Sequence, residues 1–356
     1  MTENTIYKLL SVHRKGVAAN NIGDYIQALA ASQFLPRVDG FIDREQLRVY
    51  DGGPCKVIMN GWYMHDPSQW PPSIAIDPLF VAFHMNLSAK DMMLSDEGIN
   101  YLRAHQPIGC RDKYTESLLK AKGIDAYFSG CLTLTLGQKF KSSQKEEKCY
   151  VVDPKIPSSK SIKEITRDIF FLFRHYKKVL VVTNKLYSTV SFKNQRLASR
   201  FLRTYSEFVD LLTLVESEYI HQQDSRYTKG FDKDEDRLKE AERLVHLYAQ
   251  ARMVITSRIH CALPCLGLET PVVFVHKDNT DEISRCRFDG ILELFNSFVC
   301  YSDRIVPSFP IEGKLSKTNP CNNKEDWKEL ANSLIDKCQK FIEENELYSP
   351  DINNRL

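Results

Sequence analysis

Residues 251–277 read ARMVITSRIHCALPCLGLETPVVFVHK, and this stretch decides the fold. Met253–Thr256 is a short apolar run with β-branched residues, which predicts a buried strand, and Pro271–Val275 is a second such run. The residues between them start with Ser257, Arg258 and His260, turn apolar and end at Gly267, so they read as a helix with a C-terminal glycine. Pro264 is tolerated if it falls within the first turn, where no intrahelical bond is due. A guanidinium, an imidazole and a positive helix end then meet at one strand's C-terminal edge, an arrangement suited to an anion and best to a phosphate. Two plainer roles stay open: Arg258 as partner of a structural carboxylate, and His260 as a satisfied buried side chain.

Working outward, the same alternation continues upstream. Strands are expected at Cys149–Val152, Val179–Thr183 and Leu214–Tyr219, with helices at Ile162–Tyr176, Asn194–Asp210, Asp234–Gln250 and Ile259–Leu268. Strands alternating with helices mean βαβ units and a parallel sheet. The charged run KFKSSQKEEK (139–148) is the best domain boundary. That divides the chain into a domain over 1–145, another over 146–323, and a C-terminal helix within 324–356 that crosses back to the first. In the first domain, strands are expected at Tyr7–Val12, Val38–Asp43, Lys56–Met59, Leu79–Phe83, Ile108–Cys110 and Tyr127–Thr135, the last with a Ser129-Gly130 turn. Helices should cover Gly98–His105 and Lys113–Lys122, and another should follow Asp24 with Ile22, Ile26, Leu29 and Ala30 on one face.

The totals exclude several classes. The 356 residues exceed one ordinary core, and 43% apolar with 26% charged residues mark a globular protein. A net charge of +2 gives no support for nucleic acid as partner, and no run of 18 apolar residues predicts a membrane span. The start MTENTIYKLLSVHRKG lacks signal-peptide features, so a cytoplasmic location is expected. Ten scattered cysteines without a C-x-x-C pair read as free core thiols, although Cys261 and Cys265, one turn apart, leave a metal site as the lesser alternative. No nucleotide-binding glycine loop, G-x-S-x-G or H-E-x-x-H is present.

Individual residues suggest the chemistry. Asn20, Asn21 and Asp24 suit a helix start, either as caps or as ligand groups, and Gly23 permits close approach to the backbone. The Asn60-Gly61 turn is expected to expose Trp62, Tyr63 and His65 as a platform for a sugar ring; a self-packed surface loop including Trp70 is the alternative. His84, at a strand end, is placed for acid–base work. Arg111 is a second arginine at a strand-to-helix junction, with Asp112 as ion-pair partner or cap. DKDED (232–236) contains D-x-D but also opens a helix, where acids favour the dipole. Arg196, Arg200 and Arg203 share a helix face that is either solvated or set against anionic lipid.

Together these segments resemble the polysaccharide pyruvyl transferase family. The matching pieces are NNIGDYIQALA (20–30), VIMNGW (57–62), CRDKYTESLLKAKGI (110–124), YFSGCLTLTL (127–136) and VITSRIHCALPCLGLETPVVFV (254–275). The most specific is S-R-x-H between two strands, followed by G-x-x-x-P. Relatives often carry an acid where Cys131 stands. The resemblance implies an α/β fold of two Rossmann-like domains facing a cleft, similar to GT-B glycosyltransferases. It implies phosphoenolpyruvate as co-substrate, no cofactor, no metal, and a saccharide acceptor, galactose-type and carried on a polyprenyl diphosphate. The product would be a cyclic pyruvate ketal in capsule or exopolysaccharide biosynthesis, made at the inner face of the membrane with possible peripheral contact. Arg258, Ser257, His260 and Arg111 would bind the donor. Asn21, Gly23, Asp24, Asn60, Trp62 and Tyr63 would face the acceptor, and Asp24, His260 and His84 would be catalytic. The rival readings are a nucleotide-sugar glycosyltransferase on the same fold, with Glu282 as ribose ligand, and a non-catalytic carbohydrate- or phosphometabolite-binding module.

Overall fold

The computed structural model describes residues 5–12, 20–278 and 286–344. The strands of the first half are β1 (Ile6–Ser11), β2 (Asn20–Asn21), β3 (Phe41–Asp43), β4 (Cys55–Ile58), β5 (Gly61–Tyr63), β6 (Ile76–Leu79), β7 (Phe83–Met85), β8 (Ile108–Cys110) and β9 (Ala126–Phe128). All but β2 form two parallel sheets, ordered β3-β1-β4-β6 and β5-β7-β8-β9. The sheets join end on, because β5 follows β4 after Met59 and Asn60, and β7 follows β6 after Phe80–Ala82. The expected single strand Leu79–Phe83 is therefore two. Ala82 adopts φ 54°, which turns the chain, and Gly61 at φ 113° allows the matching bend beside it.

The second half supplies β10 (Cys149–Val152), β11 (Glu218–Ile220), β12 (Gln223–Asp224), β13 (Met253–Thr256), β14 (Val272–Lys277), β15 (Ser297–Cys300) and β16 (Ile305–Pro307). Its sheet runs β11-β10-β13-β14-β15-β16, parallel except for the last strand. Every residue of β10 and β13 is buried, as continuous apolar runs in a parallel sheet require. The chain is thus a mixed α/β protein built on parallel sheets, with helices packed against them.

Three expected strands differ. Val179–Thr183 lies inside the helix Tyr176–Leu186, which buries Val179, Val182, Thr183 and Leu186. That spacing is helical, and the apolar run obscured it. Leu214–Tyr219 divides into the helix Leu211–Glu216, capped by Asp210 accepting from the Thr213 N–H at 2.8 Å, and the short β11. The strand expected through Thr135 stops at Phe128, and Leu132–Thr135 is a 3₁₀ turn. Pro264 is also misplaced by the sequence: it falls in the second turn of the helix Ile259–Gly267. The carbonyl it leaves without an intrahelical donor is that of His260, where the helix kinks, and Gln222 Nε2 donates to it at 3.4 Å.

The two halves interlock. β2 pairs antiparallel with β12, and the Ile22 N–H donates to the Gln222 carbonyl at 2.9 Å. Asp234, in the D-x-D run, opens the helix Asp234–Gln250 and accepts from Tyr25 Oη and, at 2.8 Å, from Ser11 Oγ. The helix Ile259–Gly267 meets the Leu132–Thr135 turn so closely that a Cβ on Gly267 would lie 2.3 Å from the Leu134 carbonyl oxygen. The last helix, Trp327–Glu343, reaches back to the first half, where buried Lys56 donates to the carbonyls of Phe341 and Glu344, each at 2.6 Å. All ten cysteines are buried, and no disulfide joins them. Among the described residues no helix is long and apolar enough to cross a membrane.

The arginine face of the helix Phe192–Tyr205 is neither solvated nor free for lipid. Arg200 and Arg203 meet Asp168 at 2.6 and 3.0 Å, Arg196 lies 3.7 Å from it, and Arg203 also meets Glu164 at 2.6 Å. The acids belong to the neighbouring helix Ile162–Arg174, so the cluster fastens the two helices together. Asp168→Ala leaves the buried Arg200 without its carboxylate and is expected to cost about 3–5 kcal/mol. Urea unfolding measures this, and a loss below about 1 kcal/mol would show that the cluster is not structural.

Candidate functional site

A cavity of about 590 Å³ opens where the C-terminal strand ends of the two halves meet. The first half lines it with Asn20, Asn21, Asp24, Arg44, Trp62, His65, His84, Arg111 and Tyr114; the second adds Lys155, Gln222, Ser257, Arg258, His260, Lys277 and Arg287. Six of these side chains are Lys or Arg, and Asp24 is the one carboxylate among the described lining residues. Such a lining attracts anions, and its low-dielectric walls strengthen the field.

Arg258 is the N-cap of the helix Ile259–Gly267, directly after β13. Its Nε donates to Asp153 Oδ2 at 2.6 Å. Asp153 follows β10 at φ 43° and gathers the neighbourhood. Its carboxylate also takes the Gln222 N–H at 3.0 Å and lies 2.9 Å from His221 Nδ1, while its carbonyl accepts from Ser257 Oγ at 2.6 Å. Both readings of Arg258 therefore meet in one geometry, because a structural carboxylate orients the guanidinium by one edge while the side chain still lines the cavity. His221 and Arg258 hold the Asp153 carboxyl below its usual range against the opposing effect of burial.

Asp24 and His260 meet across the halves, Oδ1 to Nδ1 at 3.5 Å. Ile22 stands at the N-cap position of the helix Gly23–Ser32, and Asn21 Oδ1 accepts the first helical N–H, that of Gly23, at 3.1 Å; Asp24 takes no part in the cap. Gly23 leaves room for this meeting, since a Cβ there would lie 3.0 Å from Gln222 Oε1 and 3.1 Å from His260 Cβ. Burial is the largest influence on the His260 imidazole and opposes its charge. Hydrogen bonding and charge from Asp24 and Cys131 outweigh it and raise the pKa. Asp24 and Cys131 are correspondingly lowered, against burial, by their hydrogen bonds with His260.

On the first-half wall, His84 Nδ1 lies 2.5 Å from Asp112 Oδ2. Asp112 caps the helix Lys113–Lys120 by accepting from the Thr115 N–H at 2.8 Å. Burial, and then the charge of Arg111, push the His84 pKa down to about 4 against the pull of Asp112. The ring is neutral, with Nδ1–H directed at the carboxylate and Nε2 left as an acceptor. Arg111 is only 3% exposed, and among the described residues nothing accepts from its guanidinium. Burial works against that charge, which therefore gains most from an anion in the cavity.

Trp62 lines the cavity with His65, ring centroids 4.4 Å apart, and the Arg44 guanidinium lies 5.2 Å from the Trp62 ring. Tyr63 points the other way. It is fully buried against Phe83 and Trp70, because alternate residues of β5 face opposite sides, so its expected exposure is corrected. Trp70 is likewise core rather than surface loop. Asn60 is buried and spends its amide on the Gln27 carbonyl at 3.0 Å, away from the cavity lining. Glu282 lies outside the described residues. Arg44, Lys155, Arg287 and Tyr114 were not foreseen; Lys155, three residues beyond β10, had a readable signal in that position.

The polysaccharide pyruvyl transferase family model matches residues 21–278, which include every lining residue named above except Asn20 and Arg287. The chain belongs to the polysaccharide pyruvyl transferase family. A search of curated proteins finds no match. The family assignment makes the protein a pyruvyl transferase of polysaccharide biosynthesis. If Arg111 awaits an anion, Arg111→Met should weaken binding of inorganic phosphate or a small carboxylate by roughly 10- to 150-fold, the loss of one charge-assisted bond. Calorimetric titration checks this, and unchanged affinity for both anions would remove Arg111 from the site.

Proposed function

We propose that this pyruvyl transferase uses phosphoenolpyruvate as donor and forms a cyclic pyruvate ketal on two hydroxyls of a saccharide, releasing phosphate. The observation that carries the reading is the pair of guanidiniums from opposite halves, Arg111 and Arg258, with the Asp24–His260 contact in the same cavity. A donor with a phosphate at one end and a carboxylate at the other matches two separated cationic anchors. Arg258, Ser257 and the kinked helix start would take the phosphate, and Arg111 the carboxylate. The two halves would act as Rossmann-like domains, 1–145 and 146–323, facing a cleft in the manner of GT-B glycosyltransferases.

The reaction adds one proton to the donor's methylene carbon and bonds one acceptor oxygen to C2. The C–O bond to phosphate breaks, phosphate leaves with the electron pair and a proton, and the second hydroxyl closes the ketal. Both hydroxyl protons are thereby accounted for, one in the new methyl group and one on phosphate. Asp24 faces the positive charge that develops at C2. His260, held protonated, supplies the proton to the departing phosphate, and neutral His84 accepts one from a hydroxyl through Nε2. Trp62 and His65, with Arg44 beside them, offer the ring faces for a sugar, galactose-type and lipid-linked in this reading.

The test is incubation with phosphoenolpyruvate and galactosides, simple or lipid-linked, read by phosphate release and product mass. Release of phosphate with a pyruvate ketal on the sugar supports the proposal; nucleotide release from a sugar nucleotide instead would replace it. The pH profile follows from the two histidines. His84 must be neutral, so activity falls only as pH drops through about 4. His260 must be charged, so activity falls as pH rises through a value above the ordinary imidazole range. Hence kcat/KM should be flat through pH 6.5, and an acidic limb centred near that value would contradict the assignment.

A further inference from the structure

The helix Ile162–Arg174 is amphipathic in an uncommon way. Its inner face buries Glu164, Asp168 and Leu172, with both acids held by the arginines of the helix Phe192–Tyr205. Its outer face carries Ile162, Phe170 and Phe173, which are 84, 68 and 74% exposed, and Tyr176 at the start of the next helix is 50% exposed. Large apolar side chains so open to water on a folded surface call for a partner. Around them Lys160, Lys163, Arg167, Arg174, Lys177 and Lys178 are all exposed. Between residues 160 and 178 the acids are Glu164 and Asp168 alone, and both are turned inward.

We infer that this face seats the protein on a membrane surface bearing anionic lipid. The apolar side chains at 162, 170 and 173 would enter the boundary between headgroups and acyl chains, and the flanking cations would meet lipid phosphates. A second copy of the chain is a poor occupant, because a two-fold interface would set Lys160, Lys163, Arg174, Lys177 and Lys178 against the same five, with Arg167 paired to Glu164 at 2.8 Å and no exposed acid within 160–178 to answer them. A nucleic acid would satisfy the charge but leave the isoleucine and phenylalanines without hydrocarbon. The face adjoins the cavity by chain, since the loop from Lys155 leads to Ile162. The inference rests on this face alone and not on the proposed reaction, so vesicle binding and turnover fail independently.

Co-sedimentation with vesicles of phosphatidylglycerol and phosphatidylcholine tests it, with pure phosphatidylcholine vesicles in parallel. The wild-type chain should partition onto the anionic vesicles, less so as salt rises, and stay off the neutral ones. The double variant Phe170→Ser/Phe173→Ser should lose on the order of tenfold or more in partitioning, and Lys177→Glu/Lys178→Glu roughly fivefold or more per position. Both should keep the wild-type melting temperature, because every altered side chain is exposed. Failure of the wild type to bind at low salt would overturn the inference. So would equal binding by the phenylalanine variant, full competition by a single-stranded oligonucleotide, or a dimer in light scattering that this variant abolishes.

Discussion

The contact on which the site depends is Asp24 with His260, one side chain from each half. Around it the chain makes arrangements that have no other evident purpose. Gly23 clears the space, β2 pairs with β12 across the halves, and Gln222 supplies both the backbone carbonyl that holds Ile22 and the amide that serves the kinked helix at His260. Burial opposes the charge of this histidine, and the aspartate and Cys131 outweigh that effect and raise its pKa. Separating the halves would take away the aspartate contact together with the burial that it offsets.

The surrounding charge is unbalanced by design of the lining. Two patterns of arginine coexist in this molecule. Arg200 and Arg203 are paired with Asp168 and Glu164 and hold helices together, whereas Arg111, as buried as Arg200, has nothing on its guanidinium among the described residues. The first pattern is structure, and the second is stored electrostatic free energy that an anionic ligand can recover. Arg258 stands between them, oriented by Asp153 yet still lining the cavity. Placing a carboxylate behind a guanidinium fixes its plane without filling its front.

The sequence made the second half's core legible because β10, β13 and the helices Asp234–Gln250 and Ile259–Gly267 carry strong local patterns. It misled at Val179–Thr183, where β-branched residues at helical spacing resemble a strand over a short window. Tyr63 was misread because a three-residue strand shows too little alternation to tell its inner from its outer face. Arg258, His260, Asp24, Arg111 and His84 stood out because each adjoins a strand or helix end, and all five line one cavity. Asp153 and Arg44 did not stand out, and Cys131 did so only as a departure from relatives, not as a partner of His260. Their parts depend on partners far away in sequence, which no single-chain pattern displays.

The central claim is that this basic cavity recognises a small donor with two separated anionic groups. It is tested most directly by titrating the intact protein with phosphoenolpyruvate and, in parallel, with inorganic phosphate, pyruvate and uridine diphosphate. The account predicts saturable binding of phosphoenolpyruvate that is tighter than either single-anion fragment and weaker at high salt. Binding of uridine diphosphate with no measurable affinity for phosphoenolpyruvate would contradict it.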